Sequence, residues 1–196
     1  MRRYGPAFFL AIALAFPVAA FPVEAQGSPT TAAAPSIGID NFGRVDAHLY
    51  RGGQPEGHDF ADLKALGVKT IVNLTSDDAD PQEKAMAEAA GLAYVQIPMT
   101  THTVPTPAQL AQFLGIVNDP ARQPVFVHCV GGRHRTGVMT AAYRIAHDGW
   151  TAAQAFKEMK QYKFGADFLH AEFKQFVYGY HPAVAAAAAA GGVVQR

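Results

Sequence analysis

Short apolar segments alternate with helical patterns along the middle of the chain, and this alternation constrains the fold more than any other feature. Three β-prone segments each follow a segment with helical periodicity, at residues 68–74, 92–97 and 125–127. Strands that are apolar on both faces are typical of parallel sheets covered by helices on both sides. After the last strand the patterns are helical, over residues 136–147, 151–162 and 167–178. The sequence therefore predicts an α/β fold with a mostly parallel central sheet flanked by helices and a helical C-terminal layer.

Residue types near the expected helix ends predict several boundaries. Gly67 and Gly91 should end the first two helices, because glycine readily adopts the left-handed conformation that terminates a helix. Two pairs have the spacing of a capping box, Thr106 with Gln109 and Thr151 with Gln154. Asp167 is predicted to begin the last helix. Five aromatic residues at helical spacings are assigned to the core: Trp150, Phe156, Phe168, Phe173 and Phe176.

The two ends of the chain differ in composition from the middle. Residues 1–25 combine two arginines, an apolar segment and small residues before Gln26, which is typical of a secretory signal peptide; the alternative is an uncleaved membrane anchor. Residues 26–40 are predicted to be a flexible linker and residues 181–196 an alanine-rich, frayed or disordered tail, which leaves one domain at 41–180. We expect an exported protein, periplasmic or secreted, without stable membrane association after signal cleavage.

Charge and cysteine content exclude several classes of protein. The chain has 16 Lys+Arg and 16 Asp+Glu, so it lacks the basic surface that nucleic-acid binding requires. Its single cysteine, Cys129, excludes an internal disulfide framework and any metal site that needs several thiolates. These features leave the oligomeric state open.

The segment 128–137, His-Cys-Val-Gly-Gly-Arg-His-Arg-Thr-Gly, joins the last predicted strand to a helix and carries the chemistry. Its two glycines allow backbone conformations that other residues rarely adopt. The helix that begins near Thr136 directs its N-terminal N–H groups toward the loop. Successive N–H groups and the fork of Arg135 suit the oxygens of a phosphate or a similar oxyanion. The same field favours the thiolate form of Cys129, so the pattern predicts a nucleophile beneath a bound phosphorus.

This loop resembles the signature of cysteine-dependent protein tyrosine and dual-specificity phosphatases. Other segments are similar to the compact atypical dual-specificity phosphatases of plants, fungi and bacteria, at residues 50–55, 66–74, 97–99 and 124–129. The resemblance covers roughly residues 44–178 and marks 41–180 as a phosphatase domain. It implies hydrolysis of phosphate monoesters, without a metal or other cofactor, on a phosphoprotein or a phosphorylated small molecule. Some members of that group hydrolyse inositol polyphosphates or pyrophosphates.

The resemblance also implies a role for each residue of the loop in a two-step hydrolysis. Cys129 attacks phosphorus and forms a cysteinyl-phosphate, while Arg135 and the loop backbone stabilise the equatorial oxygens. Thr136 hydrogen-bonds the sulfur, and His128 orients the loop from beneath without exchanging protons. The phosphate-binding loop comprises Val130, Gly131, Gly132, Arg133, His134 and Arg135. The side chains of Arg133 and His134 either contact a highly charged substrate or face solvent.

The general acid departs from the family pattern. Relatives carry an aspartate on the loop after the preceding strand, whereas residues 98–105 contain no carboxylate. His102 is the one side chain there that exchanges protons near neutral pH, so one hypothesis is that it protonates the leaving oxygen. Otherwise His102 is a solvated loop residue, and the acid comes from elsewhere or is not needed. Asp77, Asp78 and Asp80 offer other carboxylates, although such a cluster is more typical of a loop and a helix cap.

Two other functions remain compatible with the residues. A non-catalytic phosphate or phosphoprotein binder fits the missing aspartate, and a rhodanese-type sulfurtransferase also uses a cysteine loop on an α/β sheet. Arg51, in the opening segment 50–55, either approaches the pocket or only pins the first strand.

Overall fold

The computed structural model describes Met1 and residues 37–76 and 78–182. Within these residues one sheet has the strand order β1-β2-β5-β3-β4, and every pairing is parallel except that of β1 with β2. The strands are β1 (Gly43–Arg44), β2 (Leu49–Gly52), β3 (Thr70–Asn73), β4 (Ala93–Gln96) and β5 (Val125–His128). The helices are α1 (Asp59–Ala65), α2 (Glu83–Ala89), α3 (Pro107–Val117), α4 (Arg135–His147), α5 (Ala152–Gln161) and α6 (Ala171–Gly179). The predicted α/β fold is confirmed.

The core has two parts, one on each face of the sheet. Strand β5 shows why, because Val125 and Val127 pack with the cluster that includes α3 to α6, whereas Phe126 between them packs with the cluster that includes α1 and α2. Successive side chains of a strand point to opposite faces, so a fully apolar strand requires cover on both. The larger cluster contains the predicted helical C-terminal layer.

The sheet brings three strand ends together where the chemistry was predicted. His128, the last residue of β5, pairs in register with Gly52 of β2 and Asn73 of β3. Ligand sites in parallel α/β sheets lie at the carboxyl ends of the strands. Cys129 follows directly, so β2, β3 and β5 together position the loop that begins there.

Most predicted helix ends are confirmed. Both capping boxes form, with Thr106 accepting from the Gln109 N–H and Thr151 from the Gln154 N–H. Gly67 and Gly91 follow α1 and α2 with positive φ angles of 93° and 72°.

The start of the last helix was predicted wrongly. Helix α6 begins at Ala171 and residues 167–170 form turns. The Asp167 carboxylate caps no helix; it accepts hydrogen bonds from Lys160 at 2.7 Å and Lys174 at 2.8 Å. The core assignment of Phe168 is wrong for the same reason, since a turn leaves its side chain 79% exposed. The other four aromatic residues are buried or packed partly buried against the core.

The predicted signal peptide, most of the predicted linker and the tail beyond residue 182 lie outside the described residues. Among the residues that the structure describes, no helix combines the length and the apolar character needed to cross a bilayer.

Candidate active site

Cys129 lies on the floor of an open cavity at the carboxyl end of β5. The cavity has a volume of about 360 Å³, and its lining consists of Asp78, Thr101 and residues of the loop 129–135. Cys129 is only 4% exposed. Its position as the first residue after a buried strand makes the thiol a fixed feature of the cavity floor.

The loop packs against the backbone of the opening segment so closely that only glycine fits at one position. Gly132 has a φ of +63°, which L side chains rarely adopt, and a Cβ there would lie 2.7 Å from the Gly53 nitrogen. The neighbouring Gln54 N–H donates to the Val130 carbonyl at 3.0 Å. The same close approach accounts for Gly53, where a Cβ would lie 3.0 Å from the Val130 carbonyl oxygen.

Two side chains hold the loop carbonyls on the side of the opening segment. Asn41 donates from Nδ2 to the carbonyls of Gly132 at 2.9 Å and Gly131 at 3.3 Å. Arg51 donates from Nη2 to the Gly132 carbonyl at 2.7 Å, and its guanidinium lies 3.9 Å over the Tyr162 ring. We infer that carbonyls tied in this way leave the loop N–H groups to face the cavity, where an oxyanion accepts from them.

Arg51 therefore approaches the site from beneath the loop and does more than pin the first strand. Its side chain is fully buried, and this burial lowers its pKa to about 10. It remains a cation at neutral pH, near enough to Cys129 for their charges to interact. A second buried positive charge thus favours anions at the cavity floor.

Arg135 is held with one edge of its guanidinium free. Nη1 donates to Asp78 Oδ1 at 2.8 Å and to the Met99 carbonyl at 3.0 Å, and Nη2 donates to Asp78 Oδ2 at 2.6 Å. These bonds use three of the five guanidinium donors. The other two, the Nε–H and one Nη2–H, lie along the adjacent edge and donate to no oxygen in the described part of the chain. Their parallel geometry matches two oxygens of a phosphate.

The pKa values of this pair reflect the same contact. The hydrogen bond from Arg135 lowers the pKa of Asp78 below its usual range. Burial opposes the charge on Arg135, but the ion pair with Asp78 and the nearby Cys129 outweigh burial and raise the pKa of Arg135. Asp78 is therefore the carboxylate that fixes the Arg135 guanidinium, a role that the sequence did not reveal.

Replacing Asp78 by asparagine should lower kcat/KM for an aryl phosphate about 10- to 100-fold, since a hydrogen bond to a charged group contributes ~1.5–3 kcal/mol. Because its pKa is lowered, the Asp78 carboxylate stays ionised even at pH values near its usual pKa, and the pair is lost only as the pH falls through the lowered value. The difference from wild type should therefore persist at pH 5. Steady-state kinetics at pH 5 and 7 measure it.

Asp80→Asn is the matched control, because the Asp80 carboxylate accepts from the backbone N–H of Gln82 and not from Arg135. The role assigned to Asp78 is wrong if Asp78→Asn and Asp80→Asn show the same kinetics. It is also wrong if Asp78→Asn binds inorganic phosphate more tightly and turns over faster, since Asp78 would then compete with the substrate.

His128 lies beneath the loop in a fully buried contact that sequence reasoning missed. Its Nε2 is 2.7 Å from Oε1 of Glu83 in α2, and Asn73 at the end of β3 donates to Oε2 of the same carboxylate. The His128 ring also stacks on Phe126, with 5.6 Å between the ring centroids. This position suits the predicted orienting role, which stays a prediction.

Three other predicted site residues, Thr136, Arg133 and His134, differ in burial and in hydrogen bonding. The Thr136 hydroxyl is buried, and within residues 37–76 and 78–182 it has no hydrogen-bond partner, so its bond to the sulfur stays a prediction. Arg133 is exposed and lines the cavity. His134 also lines it, but its Nε2 donates to the Phe164 carbonyl at 3.0 Å and its burial lowers its pKa. His134 is thus neither a solvated residue nor free to bind substrate through Nε2.

His102 lies at the rim of the site. Its side chain is 71% exposed, and its Nδ1 is 3.5 Å from Oε1 of Glu172. Thr101, and not His102, belongs to the cavity lining. The role of His102 as general acid stays a prediction.

The fold and the site together define a cysteine-dependent phosphatase: a thiol on the floor of an open cavity, a glycine-containing loop, and an arginine with a free donor edge. Comparison with known proteins gives the family. The model of the family described as "DSP-PTPase phosphatase fused to NAD+ Kinase" matches residues 36–176. The chain belongs to this family of atypical dual-specificity phosphatases.

Individual relatives agree with that assignment. The chain is 33% identical over 157 residues to dual specificity protein phosphatase TpbA of Pseudomonas aeruginosa. The alignment covers 79% of this chain and 69% of TpbA. It is 28% identical over 130 residues to inositol diphosphatase SIW14 of Saccharomyces cerevisiae, covering 64% of this chain and 46% of SIW14. A crystal structure of a TpbA variant in complex with pTyr superposes with a TM-score of 0.64 and 30% identity, covering 85% of this chain and all of that one.

Proposed function

We propose that this chain hydrolyses phosphotyrosine-type phosphate monoesters in two steps through Cys129. In the first step the thiolate forms an S–P bond as the ester P–O bond breaks, and the leaving oxygen takes a proton. In the second step water attacks phosphorus, the S–P bond breaks, and inorganic phosphate leaves. The observation that carries the proposal is the free edge of Arg135 at the cavity that contains the Cys129 thiol.

A second cavity favours one substrate class over the other. It has a volume of about 450 Å³, shares Asp78 and Val130 with the first, and is lined by five carboxylates: Asp40, Glu56, Asp59, Asp78 and Asp80. Lys163 pairs with Asp40 and Arg135 with Asp78. Among the described residues the other three have no ion-pair partner. This negative rim disfavours an inositol pyrophosphate, which carries many negative charges, and favours a phosphotyrosine with basic neighbours.

Relatives supply both alternatives, since TpbA is seen with pTyr and SIW14 is named as an inositol diphosphatase. The test compares kcat/KM for phosphotyrosyl peptides with lysine neighbours, the same peptides with glutamate neighbours, and an inositol pyrophosphate. We expect the lysine peptides to be the best substrates by at least about tenfold, an advantage that shrinks as ionic strength rises. A preference for the inositol pyrophosphate would contradict the substrate class.

Turnover also separates the phosphatase from the other two functions considered. A sulfurtransferase would move sulfur from thiosulfate to cyanide, and a phosphate binder would bind phosphate without hydrolysing any ester. The family of the chain favours hydrolysis over both.

The site of action is proposed from the sequence of the N-terminal segment. Residues 1–25 have the charge, apolar segment and small residues of a secretory signal, which supports action in the periplasm or outside the cell. Substrates in that compartment would be phosphorylated proteins or small molecules of the cell envelope or its surroundings.

A further inference from the structure

Three metal-binding side chains converge at the rim of the active site. His102 comes from the loop between β4 and α3, while His170 and Glu172 stand at the start of α6. Glu172 Oε1 lies 3.5 Å from His102 Nδ1 and 3.4 Å from His170 Nδ1. All three ligand atoms lie within 4.8 Å of one another. Residues nearly seventy positions apart along the chain thus bring two imidazoles and one carboxylate close together.

These separations suit coordination of a shared ion, although the contact from His170 to Glu172 is also a long hydrogen bond. A charge-assisted hydrogen bond between imidazole and carboxylate measures about 2.7–2.9 Å, so both nitrogens are too distant for a strong one. Two ligands bound to zinc at about 2.1 Å with a tetrahedral angle lie about 3.4 Å apart. The two nitrogen–oxygen separations match this value. An ion at the centre would draw the third pair of ligand atoms together with only a small movement of the exposed His102.

A second cluster, of one histidine and two carboxylates, shows the contrast. Asp46, His147 and Asp148 also lie close together, but their oxygens are already used. His147 Nδ1 is 2.8 Å from Asp148 Oδ1, Arg144 donates to Asp148 Oδ2 at 2.7 Å, and Tyr143 donates to Asp46 Oδ2 at 2.6 Å. A cation there would have to displace these donors. At the rim, the contacts that Glu172 makes with side-chain nitrogens of the described residues are the long ones to His170 Nδ1 at 3.4 Å and His102 Nδ1 at 3.5 Å.

The ring of His170 is also fixed in place. It packs 3.7 Å from the His134 ring and 5.9 Å from Phe173, measured between centroids. His134 is itself held by its bond to the Phe164 carbonyl. Packing that fixes the orientation of a ligand ring lowers the entropy lost on metal binding. On the other side, His102 stacks on His170 with 5.0 Å between centroids.

We propose that His102, His170 and Glu172 bind a divalent transition-metal ion, zinc foremost, at the rim of the active site. Imidazole nitrogen and carboxylate oxygen are ligands that zinc accepts, and three protein ligands leave its fourth position to water. The ion is not a participant in phosphoryl transfer. It ties the loop of residues 98–106 to α6.

The proposed ligands are next to residues that line the phosphate cavity. Thr101, next to His102, lines the phosphate cavity, and His134, next to His170 in space, belongs to the phosphate-binding loop. A bound ion therefore restrains the loop that covers one side of the cavity. Hydrogen exchange at residues 98–106 should slow when zinc is added.

The test uses the full untagged chain with the substitution Cys129→Ser, so that the reactive thiol cannot bind the metal. We expect titration with zinc to show one ion per chain, and cobalt to give the visible spectrum of a tetrahedral nitrogen–oxygen site. Glu172→Gln and, separately, His170→Ala in this background should weaken zinc binding at least about tenfold. His147→Ala, at the second cluster, is the matched control and should bind zinc as before. Circular dichroism checks that each variant is folded.

Several results would overturn the metal site. Unchanged zinc affinity in both Glu172→Gln and His170→Ala excludes these ligands. Loss of binding in His147→Ala places the ion at the second cluster, and binding that requires Cys129 places it on the thiol. None of these results affects the phosphatase proposal, because the binding measurements involve no turnover.

Discussion

Cys129→Ser should lose turnover of an aryl phosphate by on the order of 10⁴-fold or more while binding inorganic phosphate nearly as well as the wild type. A hydroxyl in place of the thiol is a far weaker nucleophile at neutral pH. When catalytic groups act as a unit, removing the nucleophile alone lowers kcat about as much as removing all of them. The loop backbone and Arg135, to which we assign phosphate binding, are unchanged by this substitution. Steady-state kinetics and calorimetric titration with phosphate measure the two properties separately.

The single cysteine allows an independent check on this result. Because no other cysteine is present in the 196 residues, one equivalent of a thiol-alkylating reagent should inactivate the protein, and phosphate should protect it. Residual activity of Cys129→Ser within a factor of about ten of the wild type would assign the chemistry to another residue.

Arg135→Lys should lower kcat/KM about 10²- to 10³-fold and weaken phosphate binding. Lysine keeps the charge but has no planar fork, so it cannot make the end-on contact with Asp78 and present two parallel donors to phosphate at the same time. Loss of one group that stabilises transition-state charge typically has an effect of this size. Kinetics with a poor and a good leaving group should show the same loss, since the arginine acts on the phosphoryl oxygens.

Arg133→Lys is the matched control for Arg135→Lys. Arg133 lines the same cavity and belongs to the same loop, but its side chain is exposed. Exposed charges interact weakly through solvent, so we expect less than about a tenfold effect. A loss in Arg135→Lys as small as that in Arg133→Lys would mean that positive charge, which lysine keeps, is what matters, and not the held guanidinium.

Local signals in the sequence were sufficient for the features that depend on neighbours along the chain. Both capping boxes, the glycine-terminated helices and the strand–loop–helix around Cys129 depend on residues a few positions apart. The prediction at Asp167 failed because its carboxylate binds two lysines, each seven residues away, in place of the helix N–H groups. Sequence spacing alone does not decide which of these partners an aspartate takes.

The contacts that complete the site could not be predicted in the same way. Asp78 and Arg135 are 57 residues apart, and Asn41 and Gly132 are 91 residues apart. Only the register of β2, β3 and β5 places these segments at one edge of the sheet. The carboxylates near Asp78 were visible in the sequence. Their role depended on the fold, because the same residues could form a solvent-exposed loop or bind an arginine side chain.

The stereochemical course at phosphorus tests the two-step reaction most directly. Hydrolysis of an aryl phosphorothioate made chiral by two different oxygen isotopes, carried out in water of the third isotope, gives a chiral inorganic thiophosphate whose configuration reports the number of in-line displacements. Attack by Cys129 followed by attack of water inverts phosphorus twice, so we predict net retention of configuration. Net inversion would mean that water attacks the ester directly, and it would contradict a cysteinyl-phosphate intermediate.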